Sequence, residues 1–234
     1  MTMSKIIFAN WKKRVKTEAE AVELARATDA KGLVLLPPHE FLSEVRAVVQ
    51  HAELGVQDYA PDAFISGARY SLVGHADRRA AGDADGIVAE KLALAVRDGL
   101  IPILCVGESR AERDSGVTNE VLKRQLRQGL SRLRDLNFEM CPVYVAYEPL
   151  WAISTGGEVE RCSPETAAHC IAYLKEQLLH LGHGVKAKYL YGGSVTSKNA
   201  VEYLYNKDID GLLVGAASIN VEELKKIWHS ASKS

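Results

Sequence analysis

The sequence predicts an α/β fold, a (β/α)8 barrel formed by one domain over residues 1–234. Three observations carry that prediction. Eight short runs rich in β-branched residues recur along the 234 residues, and most are separated by helical patterns. The runs are continuous rather than alternating, as suits strands buried on both faces of a parallel sheet. The length fits eight strand–helix units, for which about 250 residues is typical. A doubly wound open sheet is the alternative, weakened because no GxGxxG follows the first run.

The predicted strands cover 5–10, 32–37, 54–57, 70–74, 101–107, 143–148, 188–192 and 211–215. Thr17 with Glu20 reads as a capping box ahead of Ala21, Leu24 and Ala25. Phe41, Leu42, Val45, Val48 and Val49 give the next helical stripe. Val88, Leu92, Ala95 and Val96 give another, stopped by Gly99. Leu122, Leu126, Leu130 and Leu133 mark a long amphipathic helix, whose basic residues over 123–134 read as a solvated face. Ser163-Pro164 places a capping side chain before a proline at the first helical position, ahead of Ala167, Ile171, Leu174 and Leu178. A short helix follows Asn199, and Asn220 with Glu223 caps the last one. One unit is incomplete. "DYAPDAFISGAR", between Gln57 and Tyr70, has Pro61, Gly67 and no helical stripe, so the helix after the third strand is predicted to be missing.

Composition narrows function. Net charge is −1, which leaves no electrostatic footprint for nucleic acid or an anionic membrane. The first apolar run, at 6–9, is too short for a signal-peptide core or a membrane span. Cys105, Cys141, Cys162 and Cys170 form no CxxC pair and read as reduced thiols, so a cytoplasmic location is expected. His180 and His183 are spaced HxxH without an acidic neighbour, and no metal site is expected there.

In a barrel of this type the active site gathers at the C-terminal ends of the strands. Those ends carry Asn10 and Lys12, His75, Cys105 and Glu108, and Glu148. Gly192-Gly193-Ser194 and Gly215-Ala216-Ala217-Ser218 follow the last two strands. Each has a plainer reading: a solvated Glu148, a structural His75, a surface Lys12, glycines in tight turns. Their joint order around one rim is what points to chemistry. One lysine, one histidine and one glutamate face two Gly-rich turns whose backbone N–H groups suit phosphate, which implies acid–base chemistry on a small phosphorylated substrate. Pro149, Trp151 and Gly156-Gly157 after Glu148 read as a stiff hinge and a soft tip, the makings of a lid.

The order of these motifs resembles the triosephosphate isomerase family, over residues 6 to about 219. "FANWKK" resembles its Asn-x-Lys motif, "LVGHADRR" its Gly-His-Ser-Glu-Arg-Arg, and "LCVGE" its Cys-x-Gly-Glu. "VAYEPLWAISTGG" resembles its catalytic glutamate and lid, and "LYGGSV" and "GLLVGAAS" its phosphate-binding turns. The resemblance implies a TIM barrel that interconverts dihydroxyacetone phosphate and glyceraldehyde 3-phosphate with no cofactor and no metal. It also implies the roles, for which this family is itself a standard worked case. Glu148 would be the base and His75 a neutral electrophile. Lys12 would supply positive charge and Asn10 a hydrogen bond to the same oxygens. Backbone N–H groups of Ser154, Ser194, Gly215 and Ala216 would hold the phosphate, with Asp77, Cys105 and Glu108 in support.

Four departures bear on that expectation. Ala76 and Asp77 stand where the family has serine and glutamate, and some loss of turnover is expected. Ser154 replaces a lid glycine. Ala216 replaces a phosphate-site glycine and keeps its N–H. The segment after the third strand is short, where the family has a long loop that reaches across a homodimer, so either the implied homodimer persists through a smaller interface or a different one forms. A non-catalytic, phosphate-binding descendant is a second reading, opposed by the presence of Glu148, His75 and Lys12 together. A Schiff-base aldolase is a third. It needs a desolvated lysine inside the barrel, and Lys5 and Lys188 lie at strand starts.

Overall fold

A computed structural model describes residues 5–64, 66–133, 142–153, 160–181 and 186–232. Eight parallel strands close into a barrel in chain order, with β8 hydrogen-bonded back to β1. The strands are β1 (Ile6–Asn10), β2 (Leu33–Leu36), β3 (Glu53–Val56), β4 (Tyr70–Val73), β5 (Ile101–Val106), β6 (Val143–Tyr147), β7 (Ala187–Tyr191) and β8 (Gly211–Val214). The helices are α1 (Glu18–Thr28), α2 (Leu42–Val48), α3 (Ala76–Ala80), α4 (Asp85–Arg97), α5 (Arg110–Asp114), α6 (Thr118–Gly129), α7 (Pro164–His180), α8 (Ala200–Leu204) and α9 (Val221–Ser232). The expected barrel is present, and among the described residues no helix lies between β3 and β4.

The core has two compartments, and strand periodicity separates them. Successive side chains on a strand point to opposite faces. One set fills the barrel: Phe8, Leu36, Tyr70, Leu72, Ile103, Cys105, Tyr144, Ala146, Leu190 and Leu213 are among its members. The alternate set, with Ile7, Ala9, Val73, Leu104, Val145, Tyr191 and Val214, packs outward against the helices. Inside, Phe8 meets Tyr70 and Tyr144 edge-on, each with ring centroids 5.2 Å apart, so aromatic rings fill one layer of the barrel.

Local chemistry sets the helix ends. Thr17 and Glu20 form the expected capping box, and the Ser163 hydroxyl accepts the Thr166 N–H with Pro164 in the first turn. Two helices escaped the sequence reading, α3 and α5. Both are five residues long, too short for a 3.6-residue stripe. For α5 a usable signal existed, since Ser109 and Glu112 make a reciprocal capping box. Leu130 and Leu133 lie beyond α6, in the turn that follows it, yet both are buried.

The unit without a helix is closed by small side chains and one phenol. Ala63 and Ala68 are buried, and the Tyr59 hydroxyl donates to Asp98 at 2.5 Å. The stem of Arg46 lies against Gly67, whose φ of +90° suits glycine.

Asp29, just past α1, accepts backbone N–H groups from Gln50, His51 and Ala52 at 2.8, 2.8 and 2.7 Å. Burial alone would raise its pKa, but these three donors outweigh burial and hold it below its ordinary value of 3.8. A depressed carboxylate stabilises the fold above the unfolded-chain value and loses that contribution as pH falls through the folded one. Asp29→Asn is therefore expected to cost about 1–2 kcal/mol at neutral pH. The gap between the two thermal midpoints should close below pH 3.8. Thermal melts of both proteins from pH 7 to pH 3 check this; a gap constant across that range would refute it.

Candidate active site

The inward set of side chains, extended by two residues past the barrel layer, delivers the site. Phe8 points into the barrel, so Asn10 follows on the same side, while Lys12, past the end of β1 with a positive φ, reaches the same cavity by its own turn. Tyr144 and Ala146 point in, so Glu148 does too. A carboxylate at that position is fixed by the sheet and still faces the mouth. Glu148 is 3% exposed and His75 is 4% exposed.

The geometry brings the predicted residues together. His75 Nε2 lies 3.3 Å from Glu148 Oε1 and 3.2 Å from Asn10 Nδ2. Lys12 Nζ lies 3.5 Å from Asp77 Oδ2. Lys12, His75, Glu148, Ser194, Gly215 and Ala216 line one small cavity. Beside it opens a groove of about 570 Å³, which shares His75 with the cavity but neither Glu148 nor Lys12.

His75 stands at the N-terminus of α3, and the Asp77 N–H donates to its Nδ1 at 3.2 Å. A nitrogen that accepts carries no proton, so the ring's proton is assigned to Nε2, facing Glu148. Asn10 Oδ1 accepts the Lys12 N–H at 3.1 Å, which turns its NH2 group toward His75. Two donors, Asn10 Nδ2 and His75 Nε2, thus converge beside the carboxylate. Ala76, despite its missing hydroxyl, donates its backbone N–H to Glu148 Oε2 at 3.3 Å.

Lys12 has φ +52°, the one positive value outside glycine among the described residues. That conformation costs of order 1–3 kcal/mol and persists where the surroundings hold it. Gln57 supplies the hold: its Nε2 donates to the carbonyls of Lys12 at 3.0 Å and Leu36 at 2.9 Å. Gln57 was missed as a site residue. It ends the third predicted strand, so the inspection of strand ends that found the others would have found it.

The remaining expectations sort themselves by element. Cys105 lies inside the barrel; burial first, and the Glu148 carboxylate second, push its thiol well above its ordinary pKa, so it stays protonated and is no nucleophile. Glu108 is buried and accepts from Trp151 Nε1 at 2.7 Å and from the Tyr147 hydroxyl at 3.1 Å. It therefore anchors the start of the segment after Glu148. Arg113 sits over the Trp151 ring, 3.5 Å from its centroid. The Ser194 N–H is donated to the Ala152 carbonyl at 2.9 Å, so it would have to exchange that partner to reach a phosphate. Past β8, a Cβ on Gly215 would lie 3.7 Å from Lys12 Cε, so this turn runs beside the lysine stem without crowding it. Ser154, Gly156 and Gly157 of the predicted lid tip, Cys141, and His183 of the HxxH pair lie outside the described residues. Cys105, Cys162 and Cys170 are free and buried. Lys5 donates to the carbonyls of Asn206 and Ile209, at the start of the barrel strands. No described helix is long and apolar enough to cross a membrane.

Comparison with known proteins agrees with the barrel fold. The family model described as triosephosphate isomerase matches residues 5–231. A triosephosphate isomerase of Dechloromonas aromatica is 35% identical over 251 aligned positions, covering 97% of this chain and 99% of the relative. One from Thiobacillus denitrificans is 36% identical over 250, covering 98% and 99%. One from Delftia acidovorans is 35% identical over 250, covering 97% and 98%. The matches run nearly end to end on both sides, and on them, together with the barrel, the chain belongs to the triosephosphate isomerase family.

Proposed function

We propose that the chain interconverts dihydroxyacetone phosphate and D-glyceraldehyde 3-phosphate through an enediolate, with Glu148 as the base. The observation that carries the mechanism is that His75 Nε2 lies 3.3 Å from Glu148 Oε1 and 3.2 Å from Asn10 Nδ2. A general base must lie within hydrogen-bond reach of the proton it takes, and a buried strand-end carboxylate in a narrow cavity meets that requirement. A substrate oxygen placed between Asn10 Nδ2 and His75 Nε2 accepts from both. As Glu148 removes a proton from the adjacent carbon, negative charge grows on that oxygen where two donors and the Lys12 ammonium already point. His75 gives its Nε2 proton to that oxygen and takes the hydroxyl proton from the neighbouring one, Glu148 returns its proton to the neighbouring carbon, and the isomerisation closes with no net change in protons or electrons and without a cofactor.

The phosphate is held, in this reading, by the turns after β7 and β8 through Ser194, Gly215 and Ala216, with Ser154 joining from the lid. Asp77 balances Lys12 at 3.5 Å, a loose pair that leaves the ammonium available to substrate. The resemblance further implies a homodimer, with a reduced interface because the segment after β3 is short.

The test is turnover of glyceraldehyde 3-phosphate by the purified protein, followed in deuterated water by NMR. Isomerisation with deuterium appearing at the carbon that exchanges its proton is the expected result. A folded sample that binds inorganic phosphate but does not turn over would overturn the enzyme reading in favour of a binding protein. Isomerisation with complete retention of the substrate's proton would instead remove exchange with solvent during the enediolate's lifetime. Sedimentation velocity on the same sample reads the oligomeric state.

A further inference from the structure

Two residues hold Lys12. Gln57 takes its carbonyl, and Asp77 pairs with its ammonium. Each is followed in sequence by a charged residue, Asp58 and Arg78, and these two meet in a ring of four charges. Asp58 accepts from Lys91 Nζ at 2.7 Å and from Arg78 Nε at 3.0 Å. Asp83 accepts from Lys91 Nζ at 2.7 Å and from Arg78 Nη2 at 3.2 Å. Cations and carboxylates alternate around the ring, so no like charges are adjacent in it.

The four members come from four places: the segment after β3, α3, the α3–α4 link, and α4. Asp58 and Arg78 line the groove beside the site, and Arg78 donates its backbone N–H to the His75 carbonyl at 2.9 Å, while the ring's side chains pair with one another rather than with Glu148, His75 or Lys12. Isolated surface pairs contribute little, but a network in which each member is held twice fixes geometry better than a pair does. Asp83 is buried, at 7% exposure, and the two cations hold its carboxyl below its ordinary range against the opposing effect of burial. Lys91 is the hub, anchored in the thirteen-residue α4.

We propose that Lys91, with Asp58, Asp83 and Arg78, is a positioning device for Lys12. The ring fixes the backbone on the C-terminal side of Gln57 and of Asp77, and so sets both grips on the lysine at once. Through Gln57 it maintains the positive φ of Lys12, and through Asp77 it aims the ammonium. The inference rests on the proposed function for its kinetic readout only.

The test compares Lys91→Met, Lys91→Arg, Asp58→Asn and a control, Ala95→Gly, which weakens α4 without touching the ring. Lys91→Met is expected to lower kcat/KM for glyceraldehyde 3-phosphate about 10-fold, because small displacements of a catalytic group are costly. Lys91→Arg should restore most of that, and Asp58→Asn should show a smaller loss. Ala95→Gly should lower the thermal midpoint with kcat/KM unchanged. Should Lys91→Met fail to fold, Asp58→Asn carries the test, since it keeps size and leaves Asp83 paired. Inorganic phosphate binding, measured by calorimetry on the same set, reads Lys12 placement independently of turnover. If the wild type binds phosphate without turning over, the proposed function fails while this inference is still decided. Ring variants that fold and keep wild-type kcat/KM and phosphate affinity, or that lose no more than Ala95→Gly at equal loss of midpoint, would overturn it.

Discussion

Replacing Glu148 with aspartate is expected to lower kcat by about 10²–10³-fold while leaving the thermal midpoint nearly unchanged. The carboxylate reaches the mouth only because its length carries it past the last barrel layer. Aspartate withdraws it by one C–C bond, about 1.5 Å. Glu148 Oε1 stands 3.3 Å from His75 Nε2, and the shorter side chain would no longer lie beside the substrate carbon. The space it occupies is specific: a Cβ on Gly192 would fall 2.8 Å from Glu148 Cγ, so the glycine is what leaves room for the glutamate's stem. Nothing in the fold depends on the lost methylene to a comparable degree. Glu148→Gln makes the complementary test, since it keeps length and removes basicity. Loss in both variants with an intact circular dichroism spectrum assigns the base. Full activity in either would assign it elsewhere.

That prediction was legible in the sequence, and the reason is geometric. A run of strand residues ending in a carboxylate fixes which way the carboxylate points, through the two-residue period alone. Asn10 and Glu148 follow from it; Lys12, past the end of β1 with a left-handed backbone, does not. His75 does not, since it sits past β4 at the start of a five-residue helix too short to show a period. Its place at the mouth came from the reading of strand ends, and its hydrogen bonds came from the structure. Asn10 shows the limit from the other side. The sequence places it at the mouth, but that its amide faces His75 depends on the Lys12 N–H, a local bond with no sequence signature. The grip of Gln57 on Lys12 joins residues 45 positions apart and the ring around Lys91 residues up to 33 apart, each across more than one element. Pairings at that range are set by how the units pack, which periodicity does not encode. The missing helix after β3 was legible because twelve residues cannot both form a helix and return the chain, whereas its replacement by Ala63, Ala68 and the Tyr59–Asp98 bond was not.

Gly107→Ala is expected to be among the most damaging single methyls at the described glycines, lowering kcat by about 100-fold and stability by about 2–3 kcal/mol. A Cβ at Gly107 would lie 1.9 Å from the Glu148 carbonyl oxygen and 2.5 Å from its carbonyl carbon. Those are backbone atoms, so no rotamer change relieves the clash. Neither strand end is free to retreat. Glu148 N–H donates to the Val106 carbonyl at 2.8 Å and Leu150 N–H to the Glu108 carbonyl at 3.0 Å, which zips the two segments together on both sides of the glycine. On its other flank Gly107 is clasped by Gln125 of α6: its N–H donates to Oε1 at 2.8 Å and its carbonyl accepts from Nε2 at 3.1 Å. The methyl must therefore either break the clasp, leaving buried polar groups unpaired, or push Glu148 away from His75. Both routes disturb the proposed base Glu148 and the following Pro149 together, so kcat and stability should fall in one variant. Releasing the clasp separates them. In Gly107→Ala/Gln125→Ala the β5 end can move instead of Glu148, and kcat should recover relative to Gly107→Ala while stability does not. Kinetics and thermal melts of the three proteins check this. Equal kcat in the single and double variants would mean that the clasp does not set where the displacement goes, and an unchanged kcat in Gly107→Ala would mean that the end of β5 does not hold the base in place.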